Sequence, residues 1–512
     1  MTTRALAATV TVSLLQREVS AAVAGDRVTS LPGFDGPLPS DHYSGYFPVG
    51  NLSGQMGHLH YWMIESESDH QETDPIVLWL NGGPGSSSLI GLLTENGQLS
   101  TNDDSFLYPL DGVPQVFYNS HGWTKYANML YLESPKGVGF SYCDDVPSYH
   151  ECINTDESTA LDSYEFLVNW FQAFPEYKNN KFYITGESYA GIYIPMLMEQ
   201  LDLDSLNSGI KVVGAAIGNG CWGTKVGTCA HGAEQQQINA DFFFGHGMYS
   251  QPLREEILES CGDFSSLTEE CSAQLDEMYA QMGDYDVYNI YDVCGSDNLR
   301  SVAASSRSTM KEVFARMASP NVTVQTKDSF SVSAGYSSLL RRSEQLDSKS
   351  ESVASSSSVG TAVGYKCGGH QAMNAWLAEP SVMEALHVLP DTMGMSYQKT
   401  AADLLPLYSD LISKYQMLIY SGDTDGCVPY VGTEKWTRDM PYEQTRGWHQ
   451  WFAHPSYGPD DADDLPLHKA GYAITYDKFQ FVTVSGAGHM VPTFQPGYGL
   501  ELFKKFLNNE EF

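Results

Sequence analysis

Residues 181–185 (KFYIT) form a β-prone run that feeds Gly186-Glu187-Ser188-Tyr189-Ala190-Gly191, and an apolar stretch of helical character follows. A serine on a sharp turn between strand and helix holds its hydroxyl out for attack, the arrangement of a nucleophile elbow. Small neighbours are needed because backbones approach closely there. The spacing G-x-S-x-G is displaced here, with Ala190 in the last place and Gly191 after it. An ordinary strand-to-helix turn capped by the Ser188 hydroxyl would share this pattern. A serine hydroxyl is a poor nucleophile unless an imidazole takes its proton and a carboxylate orients the imidazole. Two later strand ends supply such groups. Residues 416–421 run into Gly422-Asp423-Thr424-Asp425-Gly426, and residues 479–485 run into Gly486-Ala487-Gly488-His489-Met490. Among the 14 histidines, His489 stands out by its glycine-flanked place at a strand end.

Acyl transfer also requires N–H donors aimed at the developing oxyanion. The turn Asn81-Gly82-Gly83-Pro84-Gly85-Ser86-Ser87-Ser88 follows the apolar run 76–80 (IVLWL) and can present the Gly83 N–H. A second donor is the N–H of Tyr189, just after the serine. A phosphate loop would use such glycines differently. It would carry G-x-x-x-x-G-K-[ST], which is absent, and no lysine lies close by.

These residues need a scaffold whose strands end together. Strands are predicted at 76–80, 129–132, 181–185, 211–217, 416–421 and 479–485. A helix is predicted to start at Asn154 with Glu157 three residues on, and its apolar face is Leu161, Tyr164, Leu167, Phe171 and Phe174. A closing amphipathic helix is predicted over 497–507. Strands alternating with helices imply a mainly parallel sheet covered on both faces. From Cys221 to Cys367 the pattern breaks into a cysteine-bearing insertion with a Ser-rich segment over about 301–360. The expected fold is an α/β-hydrolase with a mostly parallel central sheet and an inserted cap. The core comprises residues 26–220 and 368–512, and the cap residues 221–367.

Bulk properties narrow the setting. The chain has 512 residues, 42% of them hydrophobic, enough for a large core. It carries 28 basic and 63 acidic residues, a net charge of −35, which argues against nucleic-acid binding. Nine cysteines include three close couples, Cys143/Cys152, Cys221/Cys229 and Cys261/Cys271, a spacing common in oxidising compartments. Cys294 and Cys367 could close a longer loop, leaving Cys427 unpaired. Arg4 precedes the apolar run 5–15, so residues 1–25 resemble a signal peptide. That run is too short to span a bilayer, and no other segment is long enough. Asn51 and Asn321 head N-glycosylation sequons.

WLNGGPGSSS from Trp79, ESPKGVGFSY from Glu133, FPEYKNNKFYITGESYAGIYIP from Phe174, IGNG from Ile217, YSGDTDGCVP from Tyr420 and VSGAGHMVPTFQP from Val484 together resemble the serine carboxypeptidase family. This is the lysosomal protective protein (cathepsin A) and vacuolar type. The resemblance implies release of C-terminal residues from peptides and proteins through an acyl-enzyme, best in acid. It makes Ser188 the nucleophile, Asp425 (rather than Asp423) the orienting acid and His489 the base, with Gly83 and Tyr189 as oxyanion donors. It assigns Trp79, Asn81, Gly82, Glu95 and Glu187 to the substrate's terminal carboxylate, and Cys427 and Met490 to the substrate pocket. Cys294–Cys367 is similar to a family pair tying cap to core, whereas Ser86 stands where relatives often have a cysteine. No metal or organic cofactor is implied. A vacuolar, lysosomal or extracellular destination is implied, and a homodimer is left open. Some plant relatives transfer the acyl group to another acceptor, which is the alternative activity.

Overall fold

The computed structural model describes residues 23–144, 152–230, 232–292, 294, 320–324, 367–390, 394–454 and 466–512. Residues 1–22 of the expected signal peptide and most of the Ser-rich segment lie outside these residues. Twelve strands form one sheet: β1 (Arg27–Val28), β2 (His42–Val49), β3 (Gly57–Ile64), β4 (Ile76–Leu80), β5 (Asn128–Leu132), β6 (Tyr142–Cys143), β7 (Phe182–Glu187), β8 (Val212–Gly218), β9 (Gln416–Gly422), β10 (Gln444–Ala453), β11 (His468–Tyr476) and β12 (Phe479–Val484). Their spatial order is β1-β2-β3-β5-β4-β7-β8-β9-β12-β11-β10, with β6 beside β3. The six from β5 to β12 are parallel; antiparallel strands extend the sheet at both edges. The predicted parallel strands all appear, within a residue or two of their expected ends.

Among the described residues, helices of nine residues or more are α1 (Asp156–Ala173), α2 (Ala190–Leu203), α3 (Ala233–Gly245), α4 (Gln251–Cys261), α5 (Glu269–Met282), α6 (Gly369–Leu377), α7 (Leu405–Lys414), α8 (Tyr430–Asp439) and α9 (Pro496–Leu507). Alternate residues of β4 enter opposite cores. Ile76, Leu78 and Leu80 join one cluster with Trp170 and Phe171 of α1, whereas Val77 and Trp79 join another with Phe503 of α9. This two-sided burial is why the central strands read as continuous apolar runs. Helices α3, α4 and α5 enclose a third, smaller core around Phe243, Ile257 and Met278. The structure pairs Cys143–Cys152, Cys221–Cys229, Cys261–Cys271 and Cys294–Cys367, and Cys427 is buried and in no disulfide. No helix among the described residues is long and apolar enough to cross a membrane.

The start of α1 differs from the sequence expectation. The cap is Thr155, whose hydroxyl accepts from the Ser158 N–H at 3.1 Å, while the Ser158 hydroxyl accepts from the Thr155 N–H at 2.8 Å. Asn154 instead lies in a short strand, Cys152–Thr155, and its buried amide donates to the Lys136 carbonyl. The core face is also rotated from that expected. Phe166, Leu167, Trp170 and Phe171 are buried, whereas Leu161 and Tyr164 are only half-buried. The turn of α1 near its start is given over to Asp162, which forms a buried ion pair with Lys136 at 2.8 Å.

Helix α2 carries Pro195 in its interior. Proline has no N–H, so the carbonyl four residues earlier, that of Gly191, loses its helical partner. The Tyr408 phenol of α7 donates to that carbonyl at 2.6 Å. A buried carbonyl left without a donor costs about 1–3 kcal/mol. Tyr408→Phe should therefore lower the unfolding free energy by about that amount, read from denaturant unfolding; an unchanged midpoint would refute this account of the Gly191 carbonyl.

Candidate active site

The six parallel strands end at one edge of the sheet, and three loops leaving that edge carry Ser188, Asp425 and His489. They follow β7, β9 and β12, with β8 lying between β7 and β9. Ser188 has φ 61°, a left-handed conformation that costs a non-glycine residue of order 1–3 kcal/mol. Neighbouring backbone holds it there. Its N–H donates to the Gly218 carbonyl at 3.0 Å, and its carbonyl accepts from Gly191 and Cys221, both at 2.9 Å. The displaced glycine of the elbow is explained by contact. A Cβ at residue 191 would lie 2.2 Å from the Cys221 carbonyl oxygen, and one at residue 186 would lie 2.2 Å from that of Leu80. Ala190 sits between these crossings, where a methyl group fits.

His489 is 3% exposed and its Nδ1 lies 2.7 Å from Asp425 Oδ2. Asp425 is fully buried. Its Oδ2 also accepts from the Asn219 amide at 2.7 Å and the Val428 N–H at 3.2 Å, and its Oδ1 accepts from the Cys427 N–H at 2.8 Å. Four donors are the hydrogen-bonding complement of an ionised carboxylate. Asp423, the other acid of this loop, turns away and accepts from the Gly486 N–H at 2.7 Å. Asn219 was not singled out from the sequence, although it stands in the quoted IGNG. It too is left-handed, at φ 43°, and its side chain spans two strand ends by also accepting from the Gly422 N–H at 3.1 Å.

A strap, residues 287–290, crosses both loops. The Tyr288 carbonyl accepts from the His489 N–H at 2.7 Å, and the Val287 carbonyl accepts from the Gly426 N–H at 2.9 Å. The Ile290 N–H donates to the Thr424 carbonyl at 3.0 Å. The Tyr288 ring packs on His489 with centroids 5.1 Å apart. Nothing in the local sequence marks this strap, because most of its hydrogen bonds to the two loops run between backbone groups far apart along the chain.

The Gly-rich turn after β4 closes over the elbow. A Cβ on Gly82 would lie 2.3 Å from the Tyr189 nitrogen and 2.8 Å from the Ser188 Cβ, so only glycine fits. Gly83 is exposed at φ 106°. Among the described residues, the N–H groups of Gly82, Gly83 and Tyr189 have no hydrogen-bond acceptor.

Beside them lies a buried acid pair. The Asn81 amide nitrogen donates to Glu95 Oε1 and to Glu187 Oε1, each at 3.0 Å. The Asn81 amide oxygen accepts from the Trp79 indole at 2.7 Å and from the Gly91 N–H at 3.1 Å. Trp79 is fully buried, so it orients Asn81 from beneath. Glu95 ends a π-helical turn, Gly91–Glu95, a distortion common at functional sites. Glu95 and Glu187 are 4% and 5% exposed. Burial pushes the Glu95 carboxyl up to about 7. Burial, then the charge of Glu95, pushes Glu187 well above the usual carboxylate range. Glu95 Oε2 has no hydrogen-bond donor among the described residues. Glu187 feels the charge of Asp425 and Glu95 that of His489, which puts both within electrostatic reach of the acid–imidazole pair.

Cys427 and Met490, 6% and 7% exposed, flank Asp425 and His489. The ligand-type atoms of Asp425, Cys427 and His489 fall within 4.8 Å of one another, the composition of a metal site. The set suits a cation poorly. The Asp425 oxygens are committed to N–H donors, and burial holds the Cys427 thiol well above its ordinary range, in the protonated form.

The sequence profile of the serine carboxypeptidase family (Peptidase S10) matches residues 32–509. Serine carboxypeptidase-like 20 of Arabidopsis thaliana is 32% identical over 513 residues, covering 94% of this chain and 93% of that protein. The lysosomal protective protein of Mus musculus is 30% identical, covering 95% of this chain and 94% of that one. In fold the chain is similar to Kex1(Δ)p, a prohormone-processing carboxypeptidase from Saccharomyces cerevisiae, with TM-score 0.64 at 17% identity over 95% of this chain and 96% of that one. Its strand order is that of an α/β-hydrolase, and with the match spanning nearly its whole length the chain belongs to the serine carboxypeptidase family.

Proposed function

We propose that the protein removes C-terminal residues from peptides by acyl transfer to Ser188. The observation that carries this reading is the Asn81–Glu95–Glu187 cluster set beside the His489–Asp425 pair. A free C-terminal carboxylate entering that cluster meets donors: the carboxyl protons of the acids and the open Gly82 N–H. Both amide hydrogens of Asn81 are already given to the glutamates, so Asn81 orients the acids. The Ser188 oxygen attacks the last peptide carbonyl and its proton passes to His489, which Asp425 holds in the correct tautomer. Negative charge on the former carbonyl oxygen is met by the N–H groups of Gly83 and Tyr189. The C–N bond breaks, the terminal residue leaves with the proton from His489, and water then cleaves the Ser188 ester by the same route. Cys427 and Met490 form part of the pocket wall. Ser188→Ala should reduce release of C-terminal residues, followed by mass spectrometry of a peptide digest, by at least about three orders of magnitude. A variant that still trims peptides would remove Ser188 from the mechanism. Adding an alcohol or amine acceptor tests the alternative: transfer product in place of free acid would indicate an acyltransferase.

The acid pair sets the working pH. Protonated, it donates to the substrate anion; ionised, it repels it. Because burial raises Glu95 to about 7, KM for peptides should rise as pH passes through that value. Glu95→Gln keeps a neutral amide at all pH and should flatten this rise. A KM profile identical to that of wild type would rule out Glu95 as its cause. The same shift acts on stability. The folded state retains a proton that the unfolded chain, with its carboxyl near 4.5, has released, so stability falls as pH rises between 4.5 and about 7.

The four disulfides and the relatives named above support a secretory-pathway setting, with a lysosomal, vacuolar or extracellular destination. Asn51 and Asn321 are exposed, as glycan acceptors must be. Endoglycosidase treatment of the secreted protein should lower its mass; no change would withdraw both sites.

A further inference from the structure

Asp156 is 1% exposed, and its carboxylate makes five hydrogen bonds that leave its own helix. Oδ1 accepts from the phenols of Tyr189 and Tyr397, each at 2.8 Å. Oδ2 accepts from the Thr400 N–H, from the Thr400 hydroxyl at 3.1 Å and from the Ala401 N–H at 2.8 Å. Thr155 and Ser158 already cap α1, so this acid is not needed for that purpose. It joins three separate stretches of chain: the start of α1, the residue after the nucleophile, and residues 397–401.

The last of these stretches is itself held firmly. Tyr397 lies in a strand, Met395–Gln398, paired with Cys152–Thr155. The Thr224 N–H donates to the Ala401 carbonyl at 2.8 Å, the Lys225 N–H to that of Ala402 at 2.9 Å, and the Leu404 N–H to that of Trp222 at 3.0 Å. Asp156 is thus a fixed post rather than a mobile carboxylate. The Tyr189 ring reaches it across a bed of aromatic edges, 5.3 Å from the Tyr193 centroid and 5.9 Å from that of Tyr397. The Lys399 ammonium lies over the ring face at 5.5 Å. Burial keeps the phenol far above its ordinary range, so it stays a donor.

The strained residue adjoins this lever. Ser188 gains by rotating out of its left-handed well, and that rotation swings the Ser188–Tyr189 peptide, which carries the open Tyr189 N–H. A tyrosine side chain has two torsions and a rigid ring. With its far end pinned to Asp156, the rotation would have to break a buried charge-assisted hydrogen bond. We infer that Asp156 is a positioning residue: through its hydrogen bond to the Tyr189 phenol it holds the peptide that points the Tyr189 N–H at the oxyanion. The inference rests on the reading of Tyr189 as an oxyanion donor.

The test compares Tyr189→Phe, Asp156→Asn and the double variant with wild type. The readouts are kcat and KM on a peptide, the rate at which a fluorophosphonate labels Ser188, and the melting temperature. Tyr189→Phe retains the ring and the backbone N–H. It should slow labelling and kcat about tenfold, with KM within about twofold of wild type. The double variant should be no slower than the slower single, because both break one interaction. A merely structural role predicts a lower melting temperature with an unchanged labelling rate, and that result would overturn the inference. Should Asp156→Asn fail to fold, Tyr189→Phe decides alone. Wild type that takes the label but releases no C-terminal residue would defeat the carboxypeptidase reading and leave the positioning claim to be judged on labelling rates. Wild type that takes no label would count against both.

Discussion

The strained backbone of Ser188 is the constraint around which the site is arranged. A left-handed serine persists only where its surroundings outweigh the local cost. Here β8 supplies the Gly218 carbonyl, the next loop supplies the Cys221 N–H, and α2 supplies the Gly191 N–H. Each comes from an element that the parallel sheet brings to the same edge. The Cys221–Cys229 disulfide and the Tyr408 phenol act one layer further out, on residues that brace the turn. The glycines at 82, 186 and 191 are required because backbones cross there closer than a Cβ allows.

Around that turn the site separates two kinds of carboxylate by solvation and donors. Asp425 is buried but receives four donors, so its negative charge is matched. Glu95 and Glu187 are buried with one shared amide nitrogen and each other, so burial dominates and favours their neutral forms. One acid is held against an imidazole by matched donors, while burial favours the neutral form of the other two. On the proposed reading, this division is what lets a site crowded with acids accept a free C-terminal carboxylate.

The segment between β8 and β9 contributes more than a cover. Its strap at residues 287–290 bonds to the loops of both Asp425 and His489, so their mutual placement depends on this segment as well as on the sheet. The helices before the strap carry their own small core and the Cys261–Cys271 bridge, and Tyr279, Tyr285 and Tyr430 join that core to one of the sheet's two.

Much of this was legible in the amino-acid order. Buried parallel strands appear as apolar runs such as IVLWL, and the glycine-flanked Ser188 and His489 mark strand ends, because those features are local. The acid could be narrowed to Asp423 or Asp425 by spacing, and only family resemblance chose between them. The structure shows the physical difference: Asp425 faces His489, whereas Asp423 closes a turn on Gly486. The start of α1 was displaced by one residue because tertiary pairing drew Asn154 into a strand. Asn219, the Tyr288 strap and the five-donor Asp156 left no local trace, since their partners lie far along the chain or are backbone groups any sequence provides. By itself the sequence determined which residues could do chemistry and that strands would end near them. Only the tertiary structure decided which carboxylates are matched by donors and which are desolvated, because that depends on groups that meet only after the chain has folded.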